Sequence, residues 1–311
     1  MAKMIVTTTE AGLSLEDFLQ QRVAAAPAAY LRKLVKDGKI CRSEDTAGAL
    51  VAGEHIILPD SRRLVDLLTL SEKMSVTVLY ESEHLLILDK PSGLATHAGQ
   101  GHEEDNLTAR VAGLLHRRGE PFVAAPIQRL DRETSGVVLF GKGKKSCSVL
   151  GKMMMNAPVK KTYLALVKGN LTTAGTITTE IPAKGKSKTA VTSYLVLAAN
   201  DSASLLQIEL KTGRQHQIRR QFQQIGHPLF GDRRYCGPCP DNLPRLFLHC
   251  RQLAFDDPFT NTPVKITSPV PQNLRTFLED LNVELHRCNR HFGVEGNYPC
   301  VSLNLNKDVI Q

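Results

Sequence analysis

PIQRLDRETSGVVLFGK, residues 126–142, changes character half-way along. Its second half, GVVLFGK, is an apolar strand. Its first half sets Asp131 between Arg129 and Arg132 and follows it with Thr134-Ser135-Gly136. Two guanidinium groups close to a carboxylate are expected to lower its pKa and keep it charged. A carboxylate held ionised suits nucleophilic attack better than general-base work, where a pKa nearer the operating pH is wanted. The same residues also suit a turn with a surface ion pair. The stretch alone leaves both readings open.

Strand signals surround it. MSVTVLYES alternates Val76, Val78 and Tyr80, and HLLILDKPSG is a short apolar strand stopped by Pro91-Ser92-Gly93. KTYLALVKG is a further strand, and TSYLVLAA with SLLQIELK forms an antiparallel pair, while NLTARVAGLLHRRG predicts a helix. No period of 20 to 50 residues repeats, and helices do not alternate strictly with strands. The pattern therefore predicts an α+β domain on a mixed, largely antiparallel sheet rather than a doubly wound parallel one.

Residues 205–232 give the clearest local structure. A strand ends at Leu210, Lys211-Thr212-Gly213 turns the chain, and a helix is expected from Gln215 to Ile225, stopped by Gly226 and Pro228. Ile218, Phe222 and Ile225 should point inward, and Gln215, Arg219 and Gln223 share another face. Arg219 is thus a charge that a rigid element can aim into a pocket.

Residues 13–60 predict a smaller unit: a helix over LSLEDFLQQRV capped by Ser14, a second over AAYLRKLVKD ended by Gly38, then short strands. Arg32, Lys36 and Lys39 recur at helical spacing, and Arg32 to Arg42 holds five basic residues against one acidic, Asp37. Residues 61–75 suggest a connector. The division expected is 1–70, 76–285, and a tail over 286–311 with little periodicity and no assigned role.

Composition narrows the class. The 311 residues are 42% apolar and 23% charged, as in a soluble globular protein. No apolar run approaches the roughly 20 residues that span a bilayer, and the N-terminus lacks the layout of a secretion signal. A cytoplasmic protein without a membrane partner is expected. Lys and Arg outnumber Asp and Glu by 39 to 31, a formal +8, which favours a polyanionic partner such as RNA but also fits a basic soluble enzyme. The lysines of 142–145, 160–161 and 184–188 are candidates to track phosphates. Seven scattered cysteines do not form a secreted disulfide framework. Cys236-Gly-Pro-Cys239 has thioredoxin-type spacing, but it stands in a Pro-rich loop. A zinc site adding His249 and Cys250 is awkward, because neighbours on a strand face opposite ways. No metal site is expected.

QRLDRETSGVVLFGK resembles the active-site motif of the RluA-type pseudouridine synthases, His-Arg-Leu-Asp-x-x-Thr-Ser-Gly leading into an apolar strand. Four further segments are similar to that family's motifs, in order: VLYESEHLLILDKPSGLATHAG, KKTYLALVKG, LKTGRQHQIRRQFQQIGHPLFGDRRYCG and RLFLHCRQLAF. Together they span about residues 76 to 260. LRKLVKDGKI followed by LVAGEHIIL resembles an S4 RNA-binding domain. The resemblance implies isomerisation of uridine to pseudouridine in RNA, by a monomer without a cofactor. It implies Asp131 as nucleophile, Tyr163 as the ring against the target base, and Arg219 as the ion-pair partner of the nucleophile. Arg129 matches the motif arginine at the RNA-facing edge. Gln128 replaces the usual His, and both side chains can donate and accept hydrogen bonds. Arg32, Lys36 and Lys39 are the RNA-contact candidates of the S4-like unit. That unit resembles the ribosomal branch of the family, favouring large-subunit rRNA over tRNA. The rival is an RNA-binding assembly factor that keeps the fold without turnover, and the Asp131, Tyr163 and Arg219 set argues against it.

Overall fold

The computed structural model describes residues 3–8, 10–43, 48–73, 75–99, 101–103, 105–183 and 186–281. The 286–311 tail, with Cys288 and Cys300, and Lys184 of the lysine-rich loop lie outside them. The chain divides into two compact units, Met1–Val76 with Arg110–Pro121, and Thr77–Ala109 with the residues from Phe122 on.

In the first unit a three-stranded antiparallel sheet, β1 (Lys3–Ile5), β3 (His55–Ile57) and β2 (Cys41–Arg42) in that order, accompanies the helices. Helix α1 (Leu15–Arg22) starts at Ser14, whose hydroxyl accepts the Asp17 N–H at 3.1 Å, an N-cap. Helix α2 (Ala28–Lys36) turns its apolar stripe, Leu31 and Leu34, into a core with Phe18, Leu19, Val23, Ile40 and Ile56. Arg32, Lys36 and Lys39 are exposed. The stretch expected to be a connector is instead a 12-residue helix, α3 (Arg62–Lys73). Leu64, Leu67 and Leu68 supply its i, i+3, i+4 stripe and pack on the same core. Polar residues at its start hid that period.

The second unit is built on a mixed sheet, as the strand pattern predicts. Its strands are β4 (Thr77–Glu81), β5 (Leu85–Lys90), β6 (Ala124–Pro126), β7 (Ser135–Lys142), β8 (Lys160–Lys168), β9 (Gly175–Ala183), β10 (Lys186–Ala199), β11 (Ala203–Leu210), β12 (Leu248–Asp256) and β13 (Pro263–Thr267). Their order is β4-β5-β7-β12-β8-β11-β10-β9, with β6 on β7 and β13 on β12. Among the described residues only the β7–β12 pairing is parallel, His249 opposite Ser135 and Cys250 opposite Gly136. There the two backbones touch: Gly136 has φ +113°, and a Cβ would collide with the Cys250 carbonyl. Helix α4 (Leu107–Arg117) forms over the segment that predicted it and from Arg110 on belongs to the first unit, and α5 (Gly143–Asn156) follows β7.

Strand β8 is buried on both faces, as its near-continuous apolar run requires. Leu164 and Leu166 face a core completed by Leu205, Phe230, Phe247 and helix α7 (Gln272–Asp280), which contributes Leu274, Phe277 and Leu278. Alternation sends Tyr163 to the other face. The helix expected over 215–225 is α6 (Gln217–Gln224). It begins two residues late because His216 takes a left-handed conformation, φ 53°. Ile218 and Phe222 are buried, but Ile225 is 39% exposed, since it lies past the last helical turn.

Candidate active site

The turn between β6 and β7 carries Asp131, and its backbone is held at the carbonyls of Leu130, Asp131, Arg132 and Glu133. Thr96 Oγ1 donates to the Leu130 carbonyl at 2.8 Å and accepts the Leu130 N–H at 3.1 Å. Ser92 Oγ donates to the Glu133 carbonyl at 2.7 Å. Lys90, fully buried where β5 ends, donates through Nζ to the carbonyls of Pro91, Leu94 and Arg132 at 2.8, 2.7 and 3.1 Å. Burial, helped by the nearby Arg245 charge, pushes the Lys90 pKa down to about 7. Arg245 donates through Nη2 to Ser135 Oγ at 2.8 Å and to the carbonyls of Leu248 and Glu133 at 3.2 and 3.4 Å. Burial brings its pKa down to about 10. Ser135 Oγ also meets His249 Nδ1 at 2.8 Å, and burial holds His249 neutral, with a pKa of about 3. A buried lysine, a buried arginine and a neutral imidazole thus set the turn, none of them bonded to the Asp131 carboxylate.

That carboxylate is 17% exposed, with Arg219 Nη1 at 3.6 Å and His216 Nε2 at 3.7 Å. Both gaps exceed hydrogen-bond reach. The arginines next to Asp131 in sequence are not its partners: Arg132 turns to Glu133 at 2.7 Å, and Arg129 is exposed along the cavity wall. Successive residues of a tight turn diverge, so the facing cation comes from α6. Arg219 is itself held elsewhere, its Nε and Nη2 each 2.7 Å from Asp232, whose side chain is fully buried. Burial works against the Arg219 charge, but Asp232 and Asp131 more than offset it and raise its pKa. Tyr235 lies over the Arg219 guanidinium at 5.1 Å, and its hydroxyl bonds Arg220 Nε and His216 Nδ1, both at 3.0 Å. Burial and the surrounding arginines lower the His216 pKa against the pull of Asp131.

Helix α6 is pinned by buried amides. Gln217 Nε2 donates to the Val191 carbonyl and to Thr192 Oγ1, and Gln221 Nε2 to the carbonyls of Ile177 and Ala190. This anchorage to β9 and β10 makes the helix a rigid mount for Arg219.

Asp131 and Arg219 line a cavity of about 890 Å³, with Arg129, Arg132, Arg233, Arg234, Arg245, Glu133, His97 and His216 also in its wall. Such a concave, cation-rich pocket suits a phosphate-bearing ligand. Tyr163 is outside the lining, 6% exposed on β8, and opposite Cys250 of β12. Burial, Cys250 and Asp131 all raise its pKa well above the usual phenol value, so it is protonated at neutral pH. Gln128 Nε2 donates to the Val137 carbonyl at 3.1 Å. Among the described residues no group of three or more His, Cys, Asp or Glu side chains is placed to hold a metal ion. His249 and Cys250 face Ser135 and Tyr163 respectively, and Cys236 and Cys239 are exposed thiols.

Residues 84–224 match the family model described as RNA pseudouridylate synthase. The RNA pseudouridine synthase YhcT of Bacillus subtilis is 33% identical over 211 residues, 64% of this chain and 70% of that protein. The ribosomal large subunit pseudouridine synthase D of Nitrosomonas europaea is 30% identical over 300 residues, 89% of this chain and 87% of its own length. The chain belongs to the RNA pseudouridylate synthase family. Ribosomal large subunit pseudouridine synthase C of Escherichia coli K12 is 28% identical over 309 residues, covering 89% of this chain and 95% of the relative. The solved structure of human RNA pseudouridylate synthase domain containing 4 shares the fold, with a TM-score of 0.54 at 24% identity over 67% of this chain and 94% of that one. As a pseudouridine synthase, the protein is an RNA-modifying isomerase.

The synthase brings together the predicted Asp131 and Arg219 and adds four residues that sequence reading missed: Lys90, Arg245, Asp232 and His216. Lys90 stands in the quoted DKPSG segment, yet a lysine closing a strand suggests solvent. Asp232 and His216 flank α6 in GRQHQIR and HPLFGDRRY. There an aspartate followed directly by two arginines gives no hint of which cation it serves.

Proposed function

We propose that this protein converts specific uridines of large-subunit ribosomal RNA to pseudouridine, with Asp131 as the nucleophile. The observation that carries the reading is the Asp131 carboxylate, recessed in a cationic cavity with its oxygens beyond hydrogen-bond reach of Arg219 and His216. The target nucleoside leaves its stack to enter, because C1′ and the base edge are out of reach inside a helix. Asp131 attacks C1′, or takes a sugar proton toward a glycal. Either route breaks the N1–C1′ bond and lets the uracil turn while held. C5 then bonds to C1′ as the Asp131 ester bond breaks or, on the glycal route, as Asp131 returns the proton to the sugar; the C5 proton departs and N1 gains one. The net change is an isomerisation that calls for no redox partner or group donor. Arg219 orients the carboxylate and balances its charge. Tyr163, a buried protonated phenol near Asp131 and behind the cavity lining, meets the base in this reading once the nucleoside has entered, as a flat face and a hydroxyl for the C5 proton transfer.

Arg129 and Gln128 stand at the turn's RNA-facing edge in this reading. The first unit acts as an S4-like RNA-binding domain, whose exposed Arg32, Lys36 and Lys39 track phosphates. Relatives whose names specify the ribosomal large subunit support rRNA as the target. Among the described residues no helix is long and apolar enough to cross a membrane, and a cytoplasmic monomer fits ribosomal work. The test is to map pseudouridines across rRNA and tRNA in a strain lacking the gene. Sites that disappear from large-subunit rRNA and return with purified protein on unmodified transcripts support the proposal. Sites lost only from tRNA would move the target there.

A further inference from the structure

The tightest ion pair of the site does not involve Asp131. Arg219 gives two of its nitrogens to Asp232, Nε to Oδ2 and Nη2 to Oδ1, each at 2.7 Å, and only Nη1 faces Asp131, at 3.6 Å. Arg219 is 6% exposed and Asp232 1%. One buried cation therefore stands between two carboxylates, one in firm contact and one across a gap.

We propose that Asp232 is a positioning residue that keeps Arg219 charge-compensated while Asp131 loses its charge. The inference rests on Asp131 being the nucleophile, and it holds for either route. If a carboxylate oxygen pair forms the O–C1′ bond, the C1′–N1 pair leaves on the uracil and Asp131 becomes a neutral ester. If Asp131 instead takes a sugar proton, it becomes a neutral acid. In both, the negative charge beside Arg219 disappears during the step. Were Asp131 the sole counter-ion, the step would strand a buried guanidinium, and Arg219 would hold the unreacted carboxylate too well. With Asp232 in place the guanidinium is paired before, during and after. Its orientation is also set without drawing on the Asp131 lone pairs, which stay available to the substrate.

Asp232→Asn removes the charge and, with it, the Oδ2 acceptor of Arg219 Nε. Asp232 Oδ1 also accepts the N–H groups of Arg234 and Tyr235, both at 3.2 Å. Asparagine can keep those bonds through its carbonyl while losing the charge. The experiment measures kcat and KM on an RNA substrate for D232N, R219K, the double variant and D131N, with Tm for each. The expected result is a kcat about 10- to 100-fold lower for D232N and a KM within about twofold of wild type. The double variant should be no slower than R219K alone. Wild-type kcat in D232N, or effects of D232N and R219K that simply multiply, would overturn the proposal. Should D232N melt too early to assay, Arg219→Gln with Asp232→Asn decides. A Tm restored towards wild type means the loss came from an uncompensated Arg219, and a Tm no better than the single variant's overturns the charge assignment. D131N separates the two claims. An active D131N removes the nucleophile reading whatever D232N does, whereas an inactive D131N beside a fully active D232N removes only this inference.

Discussion

The two sides of the site are held by opposite means. The Asp131 turn is tied through its backbone: Lys90, Arg245, Ser92 and Thr96 all bond to main-chain carbonyls, and the acid's own oxygens stay beyond hydrogen-bond reach of Arg219 and His216. Arg219 is tied through its side chain, with Asp232 filling two of its donor positions and buried glutamines fixing its helix. A nucleophile must keep its lone pairs for the substrate, so its scaffold grips everything except the reacting group. An electrostatic partner makes no new bond, so its charge can be clamped directly.

Among the groups that support Asp131, breaking the cation side should have the largest effect. Arg219→Ala removes the charge facing Asp131 and leaves Asp232 buried without its partner. We expect kcat to fall by about 10²–10³-fold and stability by about 3–5 kcal/mol, read from single-turnover assays and denaturant melts. A variant that lost activity with its stability intact would show that Asp232 had found another partner.

On the turn side the largest loss should come from the glycine at its end. Gly136→Ala forces a Cβ into the Cys250 carbonyl at φ +113° and should cost about 3 kcal/mol or more, lowering the Tm. An unchanged Tm would mean that β7 and β12 can part without penalty.

Lys90 sharpens the contrast through pH. Its folded pKa, about 7, lies below its ordinary 10.5. The unfolded chain therefore binds more protons between those values, and stability rises with pH across that window. Below about pH 7 the full penalty of the buried charge is present. Lys90→Met lacks this titration, so the wild type should gain on it from pH 7 towards pH 10, by up to about 1.4 kcal/mol per unit. Melting both proteins at pH 6, 8 and 9 reads the trend, and a constant difference would refute it.

Gln128→His should do least. Gln128 makes one hydrogen bond, to the Val137 carbonyl, which an imidazole N–H can replace. Activity within about twofold and an unchanged Tm are expected, and a tenfold change would give this position a direct part in substrate contact.

Strand order aside, most of the second unit was legible, because runs such as HLLILDK and KTYLALVK are long and apolar and their turn residues unambiguous. Helix α3 was not, since leucines scattered among charges look like a linker until a core is there to receive them. Asp131 and Arg219 could be picked out by motif, but the guess that Arg129 and Arg132 clamp Asp131 treated proximity in sequence as proximity in space. Ile225 failed for a related reason, as the helix stops one residue before it. The supports of the site, Lys90, Asp232 and Arg245, were hidden because charged residues default to solvent. Only the fold shows that these three are buried.

The most direct test is Asp131→Asn, which keeps the shape of the side chain and removes its charge and nucleophilicity. The pseudouridine formed per enzyme on a target RNA should drop by about 10³-fold or more, with RNA affinity and Tm close to those of the parent. An Asp131→Asn protein that modifies RNA at the parent's rate would contradict the account.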